Sequence, residues 1–204
     1  PSDPSSNSDT TTTPATRSRA AIATAVAIQP PCRPGGATTT GPASCTVNVP
    51  DPEAYFAWYH RHFGLIVSDG IELAPGMPIG MFVRCDRGDT PTDHHTMLIA
   101  SNMGSGGVTG LNHVSWEVCD IDDVFVGHAH MAAKNRAAEW GIGRHLLGSQ
   151  IFDYWNDPWG HIHEHWTDGD QFDASVPPGK QGLAEAAASQ WGPDVPQSFT
   201  RTSA

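Results

Sequence analysis

Cys45-Thr46-Val47-Asn48-Val49 alternates apolar and polar positions at period two, the pattern of a half-buried strand. Asp51 follows as an N-cap, with Pro52 at the first helical position and Glu53 in the first turn, so a helix starts here, runs to about His62 and stops at Gly64. Short strands separated by Gly, Pro and Asp come next: Leu65–Ser68, a turn at Gly70, Ile71–Leu73, Met81–Cys85 and His95–Ala100. The glycine-rich loop Ser101–Gly110 leads into a second unit of the same order. It has a strand at His113–Val118, a helix capped by Asp120 and reaching about Lys134, and Trp140 and Gly141 nearing the next strand. Ser149–Trp155, the turn Asp157–Gly160 and His161–Thr167 complete it. Beyond Asp170, Leu183–Trp191 reads as a short helix stopped by Gly192 and Pro193.

The two units superpose without a gap at an offset of 69 residues: Val49-Pro50-Asp51 falls on Val118-Cys119-Asp120, and His95 falls on Glu164. A repeat of this length is expected to build one site from two copies. The paired polar positions are therefore Ser44 with His113 and His95 with Glu164, and three of these four side chains can bind a metal or move a proton.

Composition narrows the choices. Residues 1–43 hold no aromatic residue, no His and no Lys, and about half are Ser, Thr or Pro, which predicts a disordered segment. Every Trp, Tyr, Phe and His lies after residue 54, so core and chemistry belong to the remainder. A net charge of −11 with 11 Lys and Arg leaves no basic patch for phosphates, so neither nucleic acid nor an anionic membrane is an expected partner. Cys32, Cys45, Cys85 and Cys119 are scattered and form no CxxC pair, which points to a reducing cytoplasm. Ala20–Ile28 imitates a signal-peptide core only loosely, and no run approaches the roughly 20 apolar residues that span a bilayer.

Among the histidines, His161, His163 and His165 share one strand face, while Glu164 goes with Ile162 and Trp166 on the other. The offset favours Glu164 for the site and assigns the three histidines to a solvated or subunit-facing surface. His113, Ser115 and Glu117 oppose the apolar face of Val114, Trp116 and Val118. His60 and His62, like His128 and His130, lack the i, i+4 spacing of two ligands on one helical face and read as exposed helix surface. Spacing alone leaves His94-His95, Gly143-Arg144-His145 and Phe152-Asp153-Tyr154 open between structural and functional roles.

The stretches Thr92–Leu98, Gly110–Val118, Gly143–Trp155, Asp157–Gly160 and Glu164–Asp170, taken in order, resemble the type I extradiol ring-cleaving dioxygenases of the vicinal oxygen chelate superfamily, near catechol 2,3-dioxygenase and dihydroxybiphenyl dioxygenase relatives. The resemblance implies an α+β fold of paired βαβββ modules forming one vicinal oxygen chelate domain at residues 44–170, with modules at about 44–101 and 111–170. A tail at 171–204 carries the short helix. It implies Fe(II)-dependent meta cleavage of a substituted catechol by O2 in a homo-oligomer. By the same resemblance, His113 and Glu164 match two ligands of a two-His-one-carboxylate iron site, His95 matches a proton-relay histidine, and His145 and Tyr154 match groups that hydrogen-bond substrate oxygens. Such enzymes usually carry a second pair of modules N-terminal to these, which residues 1–43 cannot supply.

The remaining ligand position falls on Ser44, whose hydroxyl is a poor neutral donor for ferrous iron. Two rivals follow. One is a non-catalytic small-molecule binder of the same superfamily; the other is an isomerase or thiol transferase of the same fold, whose relatives lack the Gly143-Arg144-His145 and Phe152–Trp155 pattern.

Overall fold

The computed structural model describes residues 39–202. β1 (Thr39–Val49) leads into α1 (Pro52–Phe63), then β2 (Leu65–Ala74), β3 (Met77–Cys85), the two-residue β4 (Thr92–Asp93) and β5 (Met97–Ser101). β6 (Gly110–Val118), α2 (Ile121–Ala133), β7 (Ala138–His145), β8 (Ile151–Asn156) and β9 (Ile162–Thr167) repeat the order. The chain continues through β10 (Gln171–Phe172), β11 (Gly179–Gly182), α3 (Leu183–Ala186), β12 (Ser189–Trp191) and a 3-10 turn at Gln197–Thr200. This is an α+β fold of two βαβββ modules.

The helix punctuation acts as the residue types dictate. Asp51 accepts a hydrogen bond from the amide of Ala54, Pro52 opens α1, and Gly64 closes it at φ 69°, a left-handed conformation that costs glycine little. Asp120 caps α2 by accepting from the amide of Asp123.

One ten-stranded sheet runs in the order β11-β2-β3-β5-β1-β6-β9-β8-β7-β12. The modules meet where β1 lies antiparallel to β6, and each opening strand lies parallel to the last strand of its own module, β1 to β5 and β6 to β9. Alternation sorts the side chains. Val49, Leu65, Met81, Val83 and Ile99 form the core beneath α1, joined by Phe56 and Tyr59 from the helix. Val118, Val124 and Ile151 form the smaller core beneath α2. The residues between these positions, including Thr46, Phe82, Leu98, His113 and Tyr154, line a cavity on the other face.

Several sequence expectations change. Residues 1–38 lie outside the described residues, but Thr39–Ala43, expected to be disordered, belong to β1 and pair with β6. Gly70 is no turn: it sits within a continuous β2, beside a bulge at Val67/Asp69 that absorbs the irregular spacing. The helix expected over Leu183–Trp191 lasts four residues, and Ser189–Trp191 instead pairs with β7. The expected tail also adds β10 against β4 and β11 against β2. Strands this short have no period to read and owe their conformation to a partner.

His128 is half-buried, its Nδ1 3.1 Å from a carboxylate oxygen of Asp153, which is buried on β8, so it is not simply exposed helix surface. The gapless offset also fails in the fourth strands. Ser115 pairs with Glu164 while its counterpart Thr46 pairs with Leu98, so Leu98 rather than His95 is the register equivalent of Glu164. The modules' internal connections differ in length, which moves the equivalence by three residues.

Candidate functional site

Four neighbouring strands bring the chemistry together. In register, His113 on β6 lies opposite Thr46 on β1; Ser115 on β6 lies beside Glu164 on β9; and Glu164 lies opposite Tyr154 on β8. Residues directly paired across strands share a face, so these side chains converge. Nε2 of His113 is 3.7 Å from Oε2 of Glu164, and Nε2 of His145 is 3.6 Å from Oε1. The hydroxyl of Ser115 donates to Oε2 of Glu164, and the ring of His145 pairs with the Tyr154 hydroxyl at 2.9 Å. Nδ1 of His113 stands 2.6 Å from Oδ1 of Asn112. Amide oxygens only accept, so the proton of a neutral His113 sits on Nδ1 and leaves Nε2 as a lone pair facing the site.

His95 arrives from the connection before β5 rather than from a strand. It lines the same cavity, which measures about 490 Å³ and is also lined by His113, His145, Tyr154 and Glu164. Much of the remaining wall is apolar, including Ile71, Leu73, Phe82, Leu98, Trp140 and Phe199. Among the described residues no Lys or Arg lines it.

Burial drives the electrostatics. It pushes the His95 imidazole well below its ordinary value, reinforced by His94, His145 and His113, so the ring is neutral. Burial likewise takes His113 down to about 4 against the opposing pull of Glu164. For Glu164 burial pushes upward, but His145, His113 and the Ser115 hydroxyl outweigh it and keep the carboxylate ionised. Burial and the Glu164 charge hold the Tyr154 phenol well above its ordinary range, so it stays protonated.

His113 and Glu164 fit a shared metal ion, since donors each about 2.1 Å from one ion lie no more than about 4.2 Å apart. Among the described residues no group of three or more His, Cys, Asp and Glu is placed to hold a metal. The β1 side chain against Nε2 of His113 is the Thr46 hydroxyl, at 3.3 Å. Ser44 lies opposite Ser115 on the same strand face, two residues away, and is not among the cavity-lining residues. The residues present therefore fit a two-donor site and do not complete the triad.

Several site residues escaped the sequence reading. Thr46 and Asn48 are polar positions of the β1 alternation that it noted without assigning them to the cavity. Gln150 lines the cavity with its side-chain oxygen buried and without a hydrogen-bond partner among the described residues, leaving an acceptor for a ligand. Phe199, some 35 residues past Glu164, packs its ring against His113 and Tyr154 at centroid distances of 5.4 and 4.8 Å. No periodicity links it to the site. By contrast, His161, His163 and His165 lie outside the cavity lining, and Asp157 binds the first of them at 2.8 Å.

The fold agrees with comparison against known proteins. The profile of the Glyoxalase/Bleomycin resistance protein/Dioxygenase superfamily matches residues 41–164. The chain belongs to this superfamily. Within it, the chain is 38% identical over 111 residues to metapyrocatechase 2 of Cupriavidus necator, covering 54% of this chain and 33% of that relative. The chain thus spans about a third of the relative's length. The Mn(II)-bound glyoxalase of Novosphingobium aromaticivorans aligns at TM-score 0.66 and 22% identity over 80% of this chain and 50% of its own. Homoprotocatechuate 2,3-dioxygenase of Arthrobacter globiformis aligns at TM-score 0.64 and 22% identity, over 79% and 49%. At that identity the two structures attest the shared fold.

Proposed function

We propose that this domain binds a catechol carrying an uncharged, apolar substituent and belongs to an Fe(II)-dependent extradiol dioxygenase, with the third metal donor weak in this chain. The carrying observation is the meeting of His95, His113, His145, Tyr154 and Glu164 in one cavity whose other walls are largely apolar and, among the described residues, hold no Lys or Arg. Similarity to the metapyrocatechase supports the reaction class.

In this reading His113 and Glu164 hold the metal, and a ferrous ion bound there would bring the diol and O2 together and pass electrons between them. The chain's own groups do the rest. Protonated Tyr154, paired with His145, donates a hydrogen bond to a diol oxygen. Neutral His95 accepts the proton of the diol as it ionises. Phe82, Trp140 and Phe199 bury the ring and exclude water. Cys45 and Cys85 are free thiols, as expected in a reducing compartment.

Calorimetric titration of the chain with 4-butylcatechol and with 3,4-dihydroxyphenylacetate tests the binding half. A buried carboxylate would find no Lys or Arg among the described lining residues, so the alkylcatechol is expected to bind at least about tenfold more tightly, a difference of about 1.4 kcal/mol. Equal or tighter binding of the carboxylate overturns the substituent assignment. A second reading, a non-catalytic aromatic-diol binder, is favoured specifically by the Thr46 hydroxyl against His113. Oxygen uptake after anaerobic ferrous loading separates the two, since the dioxygenase consumes O2 in proportion to bound iron and the binder consumes none.

A further inference from the structure

Behind His95 lies a chain of buried polar groups that neither the internal repeat nor the cavity lining accounts for. Nδ1 of His95 is 3.0 Å from Nδ1 of His94, and Nε2 of His94 is 2.8 Å from a carboxylate oxygen of Asp69 on β2. His94 and Asp69 are 1% and 3% exposed. The surroundings hold both in place. The Gln181 amide donates to the other Asp69 oxygen at 3.0 Å, and a Cβ at Gly179 would stand 2.0 Å from that oxygen, so the backbone there closes on the carboxylate. The backbone of His94 is fixed at both ends, its amide donating to Asp170 O at 2.8 Å and its carbonyl accepting from Ser68. Its ring is flanked by Phe82 and Phe172.

Donor and acceptor chemistry then dictates where the protons lie. A carboxylate only accepts, so Nε2 of His94 carries a hydrogen. The Arg84 guanidinium, which donates to Ser68 at 2.8 Å, also feels the charge of Asp69, after those of Asp173 and Asp86. A neutral His94 then has a bare Nδ1, and the bond at 3.0 Å requires Nδ1–H on His95. The other ring nitrogen of His95 makes no hydrogen bond among the described residues, and the ring lines the cavity.

We propose that Asp69 and His94 are positioning residues that fix the tautomer of His95, so that its unprotonated Nε2 faces the cavity as the acceptor for a ligand hydroxyl. The arrangement rests on the catechol reading only for the identity of that ligand. Its consequence is a base that needs no reorganisation when the diol arrives, because the proton on the far nitrogen is already committed to a buried acceptor.

The test is ring 15N NMR of the histidine-labelled full chain, with assignment of His95 by comparison with His95→Gln. In the parent, His95 is expected to carry its proton on Nδ1. Asp69→Asn places an amide donor against Nε2 of His94, which reverses every bond in the chain and should move the His95 proton to Nε2. In the double variant Asp69→Asn/His94→Asn the introduced amide oxygen stands where Nδ1 of His94 was, and the Nδ1 proton on His95 should return. A proton that stays on Nδ1 in Asp69→Asn overturns the proposal, as does one on Nε2 in the parent. Should Asp69→Asn fail to fold, the single variant His94→Asn serves, where a proton shifted to Nε2 overturns it. Calorimetry with 4-butylcatechol reports on the ligand: its affinity should drop about tenfold or more in Asp69→Asn and recover in the double variant. If the parent binds no catechol while the NMR pattern holds, the functional reading fails and the tautomer assignment stands.

Discussion

At the scale of single residues the open question is the third metal donor. Thr46 touches His113, whereas Ser44 sits beside Ser115, whose hydroxyl holds Glu164. Both side chains lie on the site face of β1, so an imidazole at either position reaches the neighbourhood of the two proposed donors, His113 and Glu164. Ser44→His, at the position marked by the offset from His113, is expected to raise bound iron towards one per chain and to raise oxygen uptake with it, because a neutral nitrogen suits ferrous iron where a hydroxyl does not. Metal analysis after anaerobic loading measures this. Iron gained by Thr46→His but not by Ser44→His would instead place the missing donor at 46. A different residue-scale effect attaches to Asn112, whose side-chain nitrogen donates to the carbonyls of Phe199 and Arg201 at 2.7 Å each while its oxygen faces His113. Asn112→Ala leaves two carbonyls and one imidazole without this partner and should cost about 1–3 kcal/mol in chemical denaturation. Urea unfolding checks it, and a change under 0.5 kcal/mol, roughly the noise of an ordinary surface substitution, would show that water replaces the amide.

Among the elements, the helices are specified locally and the closing segment is not. Asp51 and Asp120 each accept from an amide three residues on, so Asp120→Ala should lower stability by about 1 kcal/mol with little effect on the cavity across the sheet. Thermal melting and catechol titration on the same variant separate those outcomes, and lost binding would mean that α2 supports the site more directly. The segment from Pro193 to Thr202 owes its place to contacts made at a distance. Trp140 donates to Pro193 O at 2.9 Å, Arg201 meets Glu139 at 2.8 Å, and Asn48 meets Thr202 at 3.0 Å. Phe199→Ala should therefore weaken catechol binding while α1 and α2 stay intact by circular dichroism, since the ring's loss opens the wall over His113 and Tyr154.

For the whole molecule, burying His95 as a neutral ring links stability to pH. Its folded-state pKa lies well below the ordinary value near 6.5, so as pH falls past that value the unfolded chain takes up a proton the folded chain refuses, and stability drops. The melting temperature is expected to fall from pH 7.5 to 5.5, with a smaller fall in His95→Phe; equal slopes would remove His95 as a cause. The paired modules, both helix starts, the end of α1 and the face carrying His113 and Glu164 could all be read along the chain. Caps, Gly64 and strand alternation act within a few residues, and two copies of one unit must bury the same faces. The match of His95 with Glu164 could not be relied on in the same way, because loop lengths shift the register and only strand pairing shows Leu98 in that place. Thr46 against His113, the buried chain from Asp69 to His95, the short strands β10 to β12 and the closure by Phe199 join residues from 1 to 110 positions apart in sequence. Adjacent His94 and His95 owe their contact to the turn before β5, and the rest owe theirs to sheet order. Those contacts were settled by packing, since a polar side chain becomes a ligand, a relay or a wall according to what the folded sheet sets opposite it.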